Sequence, residues 1–374
     1  MDSVHLKNEI INFLAYQRKP KDINQIKNYN KKILFSDIRA GNLNGRPVKR
    51  ICILLESKGC GWLLKNNHYS LVGCTICSYP LKTTLGGNLH ENKISSSFLK
   101  EYSKYNYENY PIICLYNSGS FLNNEEIPES VQFKILEEVF KNKDIEQIVI
   151  ESRVEYIDEE KLERIHRKIG DKELIIGVGL ESNNDFIRNV CINKGLSRKK
   201  YERAIKSINK YFKSLTYVLL KPPFTNEITA IIDSINSIKY AFDKGSDIVS
   251  LEVCNIQELS LPYYLYRMKH YRPPWLWSII EVLNKCYKGG QIIIGGFQIN
   301  PMPKYVAHNC GNCDLRILNL INKYNSTLDI NIFDKVDCNC KILWKKMLND
   351  DIYSNNMIKK KIDEWLCSMN HNSK

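Results

Sequence analysis

From Val48 onward, short apolar runs rich in β-branched residues recur at Val48–Leu55, Ile112–Tyr116, Gln147–Ile150, Leu174–Val178, Leu215–Leu220 and Asp247–Leu251. Helix-like stretches lie between most of them, at Val131–Phe140, Asp158–Lys168, Lys199–Phe212 and Glu227–Phe242. Strands alternating with helices over such a length argue for βαβ units and a parallel sheet. The fold class expected is therefore α/β. Six such units can curl into a partial (β/α)6 barrel, an open relative of the eightfold TIM-like barrel. A further run, Gln291–Ile294, closes on Gly295-Gly296 and reads as a candidate extra strand.

In parallel barrels the chemistry sits in the loops that follow the strands. The distinctive residues of this chain fall there. The first strand runs into a loop with Cys60, Cys74 and Cys77, thirteen residues separating the first pair and two the second. The second is followed by Asn117-Ser118-Gly119-Ser120-Phe121, the third by Glu151-Ser152-Arg153, the fourth by Gly179-Leu180-Glu181-Ser182. Lys221-Pro222-Pro223-Phe224 follows the fifth and Glu252 the sixth. Six polar or glycine-rich strand ends suit one cofactor site across a barrel mouth; ordinary loop polarity is the plainer alternative.

Thiolates two residues apart can point at one metal, and a third from a nearby loop completes a three-thiolate face. Four close a structural zinc or iron–sulfur site, so three leave one iron of a [4Fe-4S] cubane free. Buried packing thiols, or zinc ligands with a distant fourth, are the alternatives. If the cubane is right, S-adenosylmethionine can chelate the free iron and be cleaved reductively to a deoxyadenosyl radical. Ser118, Gly119 and Ser120 then offer backbone carbonyls to its ammonium group. Glu151 suits the ribose hydroxyls, Arg153 a carboxylate and Glu181 the ribose or ammonium, while Ile76 and Tyr79 pack on adenine. Lys221 and Glu252 are the candidate catalytic side chains. Each has an ordinary counterpart: a strand-end ion pair for Glu151 and Arg153, a helix cap for Glu181, a solvated lysine on a stiff loop for Lys221.

Taken together, the cysteine spacing, YNSGSF at Tyr116–Phe121, IESR at Ile150–Arg153, GVGLES at Gly177–Ser182 and LLKPPF at Leu219–Phe224 resemble the radical S-adenosylmethionine superfamily. Within it the chain is similar to the branch related to the Elongator catalytic subunit, and closest to the RaSEA family of archaeosine synthase beta subunits. YRPPWLWS at Tyr271–Ser278 and NCGNCD at Asn309–Asp314 extend the likeness to roughly residues 45–345. The gap before Cys74 is longer than the compact CxxxCxxC of most of the superfamily, which weakens Cys60 more than Cys74 or Cys77. The resemblance implies a lyase-type reaction on tRNA, in which a lysine adduct of 7-cyano-7-deazaguanine loses its lysine by C–N cleavage to give archaeosine. It also implies an alpha-type partner subunit and an electron donor of the ferredoxin or flavodoxin type.

Charge agrees with a polyanionic partner: 54 Lys and Arg against 41 Asp and Glu leave a net +13 over 374 residues. A lysine-rich proteome gives the same balance. The apolar runs stay well short of the roughly 18 residues a membrane span needs, and Met1–Asn12 is too polar for a signal peptide, so a cytoplasmic, membrane-free protein is expected. A second cysteine group, Cys310, Cys313, Cys338 and Cys340, gives C-x2-C, 24 residues and C-x-C. That pattern suits a tetrahedral zinc site, with an auxiliary iron–sulfur cluster or metal-free thiols as alternatives and His308 as a substitute ligand. The organisation expected is an N-terminal helical extension at 1–45, with a basic connector over Pro20–Lys32, a barrel at 46–298 and a Cys-rich basic region at 299–374. Two rival functions remain: the same radical chemistry on a peptide or small molecule, and a non-catalytic RNA-binding protein with zinc in both cysteine groups.

Overall fold

The computed structural model describes residues 2–18, 34–65, 71–87, 89–297 and 302–371; the connector expected over Pro20–Lys32 lies outside them. Eight strands form one sheet in chain order: β1 (Phe35–Leu43), β2 (Arg46–Leu54), β3 (Ile112–Tyr116), β4 (Gln147–Glu151), β5 (Glu173–Glu181), β6 (Lys213–Leu220), β7 (Ile248–Val253) and β8 (Gln291–Gly295). β2 to β8 pair in parallel, and β1 pairs with β2 as an antiparallel edge. The six expected runs are thus β2 to β7, and the glycine-terminated run is β8. β1 falls within the stretch read as the N-terminal extension.

Ten helices matter to the site: α1 (Ser3–Gln17), α2 (Glu91–Tyr102), α3 (Glu129–Lys141), α4 (Glu159–Ile169), α5 (Arg198–Ile208), α6 (Glu227–Asp243), α7 (Leu276–Cys286), α8 (Asp314–Thr327), α9 (Cys340–Met347) and α10 (Asn355–His371). Local chemistry starts them where the chain leaves a strand. Asp158, Ser197 and Asn226 cap α4, α5 and α6 by accepting from backbone N–H groups three residues on. α4 then buries Leu162, Ile165 and Ile169 at helical spacing while Glu159, Glu160 and Glu163 face outward.

The sheet curls, because side chains from every strand line one cavity on its inner face. Its lower end is plugged by Leu43, Ile112, Val149, Ile175, Leu215 and Ile248, contributed by successive strands. α1 buries Leu6, Ile10 and Leu14 against Phe186, Leu261, and Ile358, Ile362 and Trp365 of α10. Three such side chains, at about 2 kcal/mol each, make α1 a docked part of the barrel wall rather than a solvated helix. α8 lies across the seam between the two sheet edges. Its Tyr324 hydroxyl donates to the Ile292 carbonyl of β8, and the Ser326 carbonyl accepts from Asn42 of β1.

Candidate active site

The cysteine loop is fixed from below and from the side. Leu55 N–H donates to the Tyr116 carbonyl and Ser57 Oγ to that of Asn117, so the loop leaves β2 beside the turn that follows β3. Cys60 opens the short helix Gly61–Leu64. Around Cys74 and Cys77, Thr75 bonds to the Cys191 and Ile192 carbonyls, and Ser78 N–H donates to Gln257. Arg18, at the end of α1 and 3 % exposed, donates to the carbonyls of Leu259, Leu71, Val72 and Cys77. Three carbonyls of the loop and that of Leu259 on one buried guanidinium hold the loop as a clamp would.

Cys60, Cys74 and Cys77 all line the inner cavity, of about 360 Å³. Burial pushes the Cys60 and Cys77 thiols up to about 12, so metal binding there must release protons. Among the described residues only the second cysteine group gathers three or more sulfurs within 4.8 Å of one another; the three of this loop do not all lie within that distance.

Gly119 and Glu126 tie the next loop to the first. Ser118 has φ +57°, turning the backbone after β3 toward the cavity. A Cβ on Gly119 would sit 1.8 Å from Glu126 Oε2, so glycine alone lets this carboxylate reach the turn. Glu126 accepts from Gly61 N–H (2.9 Å), Ser120 N–H (2.6 Å), Asn123 Nδ2 (3.0 Å) and Asn117 Nδ2 (3.2 Å). Gly61 follows a cysteine and Ser120 ends the Ser-Gly-Ser turn, so one buried acid joins both.

Of the residues expected from sequence, Ile76, Tyr79, Ser118, Gly119, Glu151, Arg153, Glu181 and Glu252 line the cavity together with the three cysteines. Ser120 sits behind it, fully buried, accepting from Arg153 N–H through Oγ. Arg153 donates to Glu155 and to the Lys194 carbonyl, and its guanidinium lies 4.9 Å from the Trp62 ring centroid. Glu181, at φ +66° after a bulge, pairs with Lys194 at 2.8 Å. Burial, and then the neighbouring Glu252, pushes Glu151 up to about 8, and burial pushes Glu252 up to about 7. Lys221 stands apart from the cavity lining. It pairs with Glu227 at 2.5 Å inside a buried network in which Glu227 also accepts from Trp275 N–H and Ser278 Oγ.

The structure adds Arg39, Arg50, Lys194 and Tyr217 to the lining. Arg50 and Tyr217 were within reach of sequence reasoning, since each alternates with inward-facing neighbours (Cys52 and Leu54; Leu215 and Leu219). Lys194 follows no such rhythm.

The second cysteine group is built. Cys310–Cys313, Cys310–Cys338 and Cys313–Cys340 sulfurs lie 3.9, 3.8 and 3.7 Å apart. Four thiolates bound at about 2.3 Å to one tetrahedral ion stand about 3.8 Å from each other. Asn309 Nδ2 and Trp277 Nε1 donate to Cys313 and Cys340, both at 3.3 Å, as outer partners of metal thiolates do. His308 is turned to the Val306 carbonyl and is not a member of the group. Among the described residues, no helix is long and apolar enough to cross a membrane.

No family model matches the chain. It is 32% identical over 304 residues to an uncharacterized protein of Methanocaldococcus jannaschii, covering 79% of this chain and 81% of that one. It is 30% identical over 319 residues to archaeosine synthase subunit beta of Thermococcus kodakarensis, covering 83% and 95%, and 29% identical over 310 residues to that of Methanosarcina acetivorans, covering 82% and 87%. Solved structures superpose loosely. Methylornithine synthase gives a TM-score of 0.41 at 11% identity over 92% of this chain and 100% of that one. The Elp3 of Methanocaldococcus infernus gives 0.38 at 16% over 62% and 58%. By sequence identity sustained over most of both chains, this chain belongs to the family of archaeosine synthase subunit beta.

Proposed function

We propose that this chain is a radical S-adenosylmethionine enzyme that modifies tRNA. The observation that carries the reading is the convergence of three cysteines on one cavity with the strand-end residues Ser118, Gly119, Glu151 and Glu181. The donor set fits a [4Fe-4S] cluster with one free iron: three thiols, not all within 4.8 Å of one another, beside a turn whose glycine leaves the backbone bare. When bound, the cluster and S-adenosylmethionine supply reductive cleavage to a deoxyadenosyl radical. The chain's own part is to bind and orient. Cys60, Cys74 and Cys77 hold the cluster, the Ser118–Ser120 carbonyls and Glu181 receive the methionine ammonium, Glu151 the ribose, and Ile76 with Tyr79 the adenine. The sulfur spacing of the first group disfavours the reading in which both cysteine groups hold zinc. The compact group suits one zinc ion rather than an auxiliary cluster.

The substrate proposed is a tRNA base carrying a lysine adduct of 7-cyano-7-deazaguanine, cleaved at its C–N bond to leave archaeosine. The net charge of +13 suits it. The name of the relatives implies a partner subunit, taken as the alpha-type enzyme that builds the adduct. A ferredoxin- or flavodoxin-type protein supplies the electron, and the reaction runs in the cytoplasm. The test is anaerobic incubation of the iron-reconstituted chain with S-adenosylmethionine, a reductant and adduct-bearing tRNA. Deoxyadenosine and archaeosine are expected. Deoxyadenosine without change in the RNA places the chemistry on another substrate; a full iron complement in the Cys74→Ala, Cys77→Ala protein refutes the ligand set.

A further inference from the structure

Arg50 is a half-buried guanidinium that no carboxylate pairs among the described residues. Its backbone stands level with the first residues of β3, β4 and β5, opposite Ile112 in the register, which in turn stands opposite Gln147. Leu54, where the cysteine loop departs, is four residues further along β2, about 13 Å away at 3.3 Å per residue. Arg50 therefore belongs to the cavity's floor, and the cysteines and the Ser-Gly-Ser turn to its rim. Its Nε is shut off from solvent and meets no acceptor among the described residues. The contact it makes is a long one, Nη1 to Cys114 Sγ at 4.0 Å. Arg39 lines the same floor but is spent on Asp37, which holds it at 2.8 and 2.9 Å.

Across the cavity stands the carboxylate of Glu252. Glu252 accepts from Ser250 Oγ at 2.7 Å, and a Cβ on Gly295 would fall 2.0 Å from its Oε1, so a glycine in β8 clears the space it occupies. A cavity with an unpaired guanidinium on one wall and a carboxylate with a single hydrogen-bond donor on another is complementary to a ligand carrying both signs of charge. The carboxylate of S-adenosylmethionine belongs at the rim with the cluster.

We infer that the inner cavity seats the amino-acid head of the substrate above the barrel floor, with Arg50 taking its carboxylate and Glu252 its ammonium group. The inference rests on the reading of the site as a substrate cavity and gives the lysine arm a definite orientation: head down, the rest toward the rim. A bidentate carboxylate on Arg50 satisfies the Nε that the fold leaves bare.

The test compares three probes on the full chain by ligand-observed NMR: L-lysine, 1,5-diaminopentane, which lacks the carboxylate, and S-adenosylmethionine. L-lysine is expected to bind, the diamine about 10- to 100-fold more weakly, as for loss of a charge-assisted pair. In Arg50→Gln that preference should vanish. Equal binding of lysine and the diamine by the wild-type chain overturns the proposal without recourse to any variant, as does absence of lysine binding up to about 50 mM. Loss of S-adenosylmethionine binding in folded Arg50→Gln also overturns it, because the guanidinium then serves the cofactor. A lysine preference in a chain that never cleaves S-adenosylmethionine keeps the floor assignment and sinks the radical reading; cleavage without that preference does the reverse.

Discussion

Glu126→Gln isolates the link between the cysteine loop and the Ser-Gly-Ser turn. Glu126 is 1 % exposed and serves four donors, two at each oxygen: Gly61 N–H and Asn123 Nδ2 at Oε1, Ser120 N–H and Asn117 Nδ2 at Oε2. Glutamine has the same shape but one acceptor oxygen. Whichever way its amide faces, two donors lose their partner and meet an N–H group instead. A hydrogen bond to a charged group contributes about 1.5–3 kcal/mol. Part of that loss is offset, because burial already pushes the Glu126 carboxyl upward and a neutral amide escapes that penalty. The remainder falls on one of the two backbone amides. Local opening there should become easier by at least about 1.4 kcal/mol, a tenfold faster exchange, and by up to about 100-fold if the offset is small. Amide hydrogen exchange followed by mass spectrometry over peptides holding Gly61 and Ser120 reads this in metal-free protein. Peptides on α4 and α5 serve as the internal reference. If both amides stay within about threefold of wild type, Glu126 is not what joins the loops.

Two further outcomes follow from the structure. Cys313→Ser should remove one equivalent of zinc and leave the iron of the first loop in place, while Cys74→Ala, Cys77→Ala should do the opposite; metal analysis of both proteins reads it, and iron lost from both would mean that the second group holds a cluster. Asp233, on α6, is pushed up to about 7 by burial, with Ser182 as the partner of one oxygen and none for the other among the described residues. The folded chain then holds a proton that the unfolded chain, near 3.8, has released. Stability should fall as pH rises from about 4 to 7 and stay low above, by at most about 4 kcal/mol from this group. Asp233→Asn should flatten that slope in denaturant titrations, and an unchanged slope would show that Asp233 does not carry it.

What the sequence made legible was whatever obeys a period. β2 to β8 and helices α3 to α6 follow from apolar runs and helical spacing, because both faces of a parallel sheet are buried and its strands read as plain apolar blocks. The strand-end motifs came with them, since a barrel sends those residues to one mouth. β1 was invisible for a physical reason: Arg39 faces the cavity and is paired with Asp37 two residues before it, so the period that marks a strand by inward apolar residues is interrupted there. Lys221 is placed apart from the other strand-end residues for a related reason. It sits at a strand end like the others, but φ +65° at that position and Glu227 on the following helix draw it away into the wall. Arg18 and Glu126 could not be foreseen as partners of the cysteine loop, because their contacts span 59 and 65 positions and depend on how α1 and the turn after β3 dock.

The second cysteine group bears on the first site through the seam. A sheet whose edge strands β1 and β8 do not pair leaves the cavity open along one side, and that side runs past Arg39 and Arg50. α8 covers it: Tyr324 and Asn325 bond to Ile292 and Ile294 of β8, and Ser326 receives Asn42 of β1. The helix is held at its other end by Cys313, its N-terminal cap residue and a member of the four-thiolate group, whose remaining ligands come from the preceding turn and from the start of α9. An ion held there would fix the helix that covers the seam. A charged floor in a half-closed barrel needs such a seal, because water at Arg50 would weaken every polar contact that the cavity makes. A metal in the four-thiolate group and the charged lining of the cavity would thus be parts of one arrangement, coupled by the length of α8.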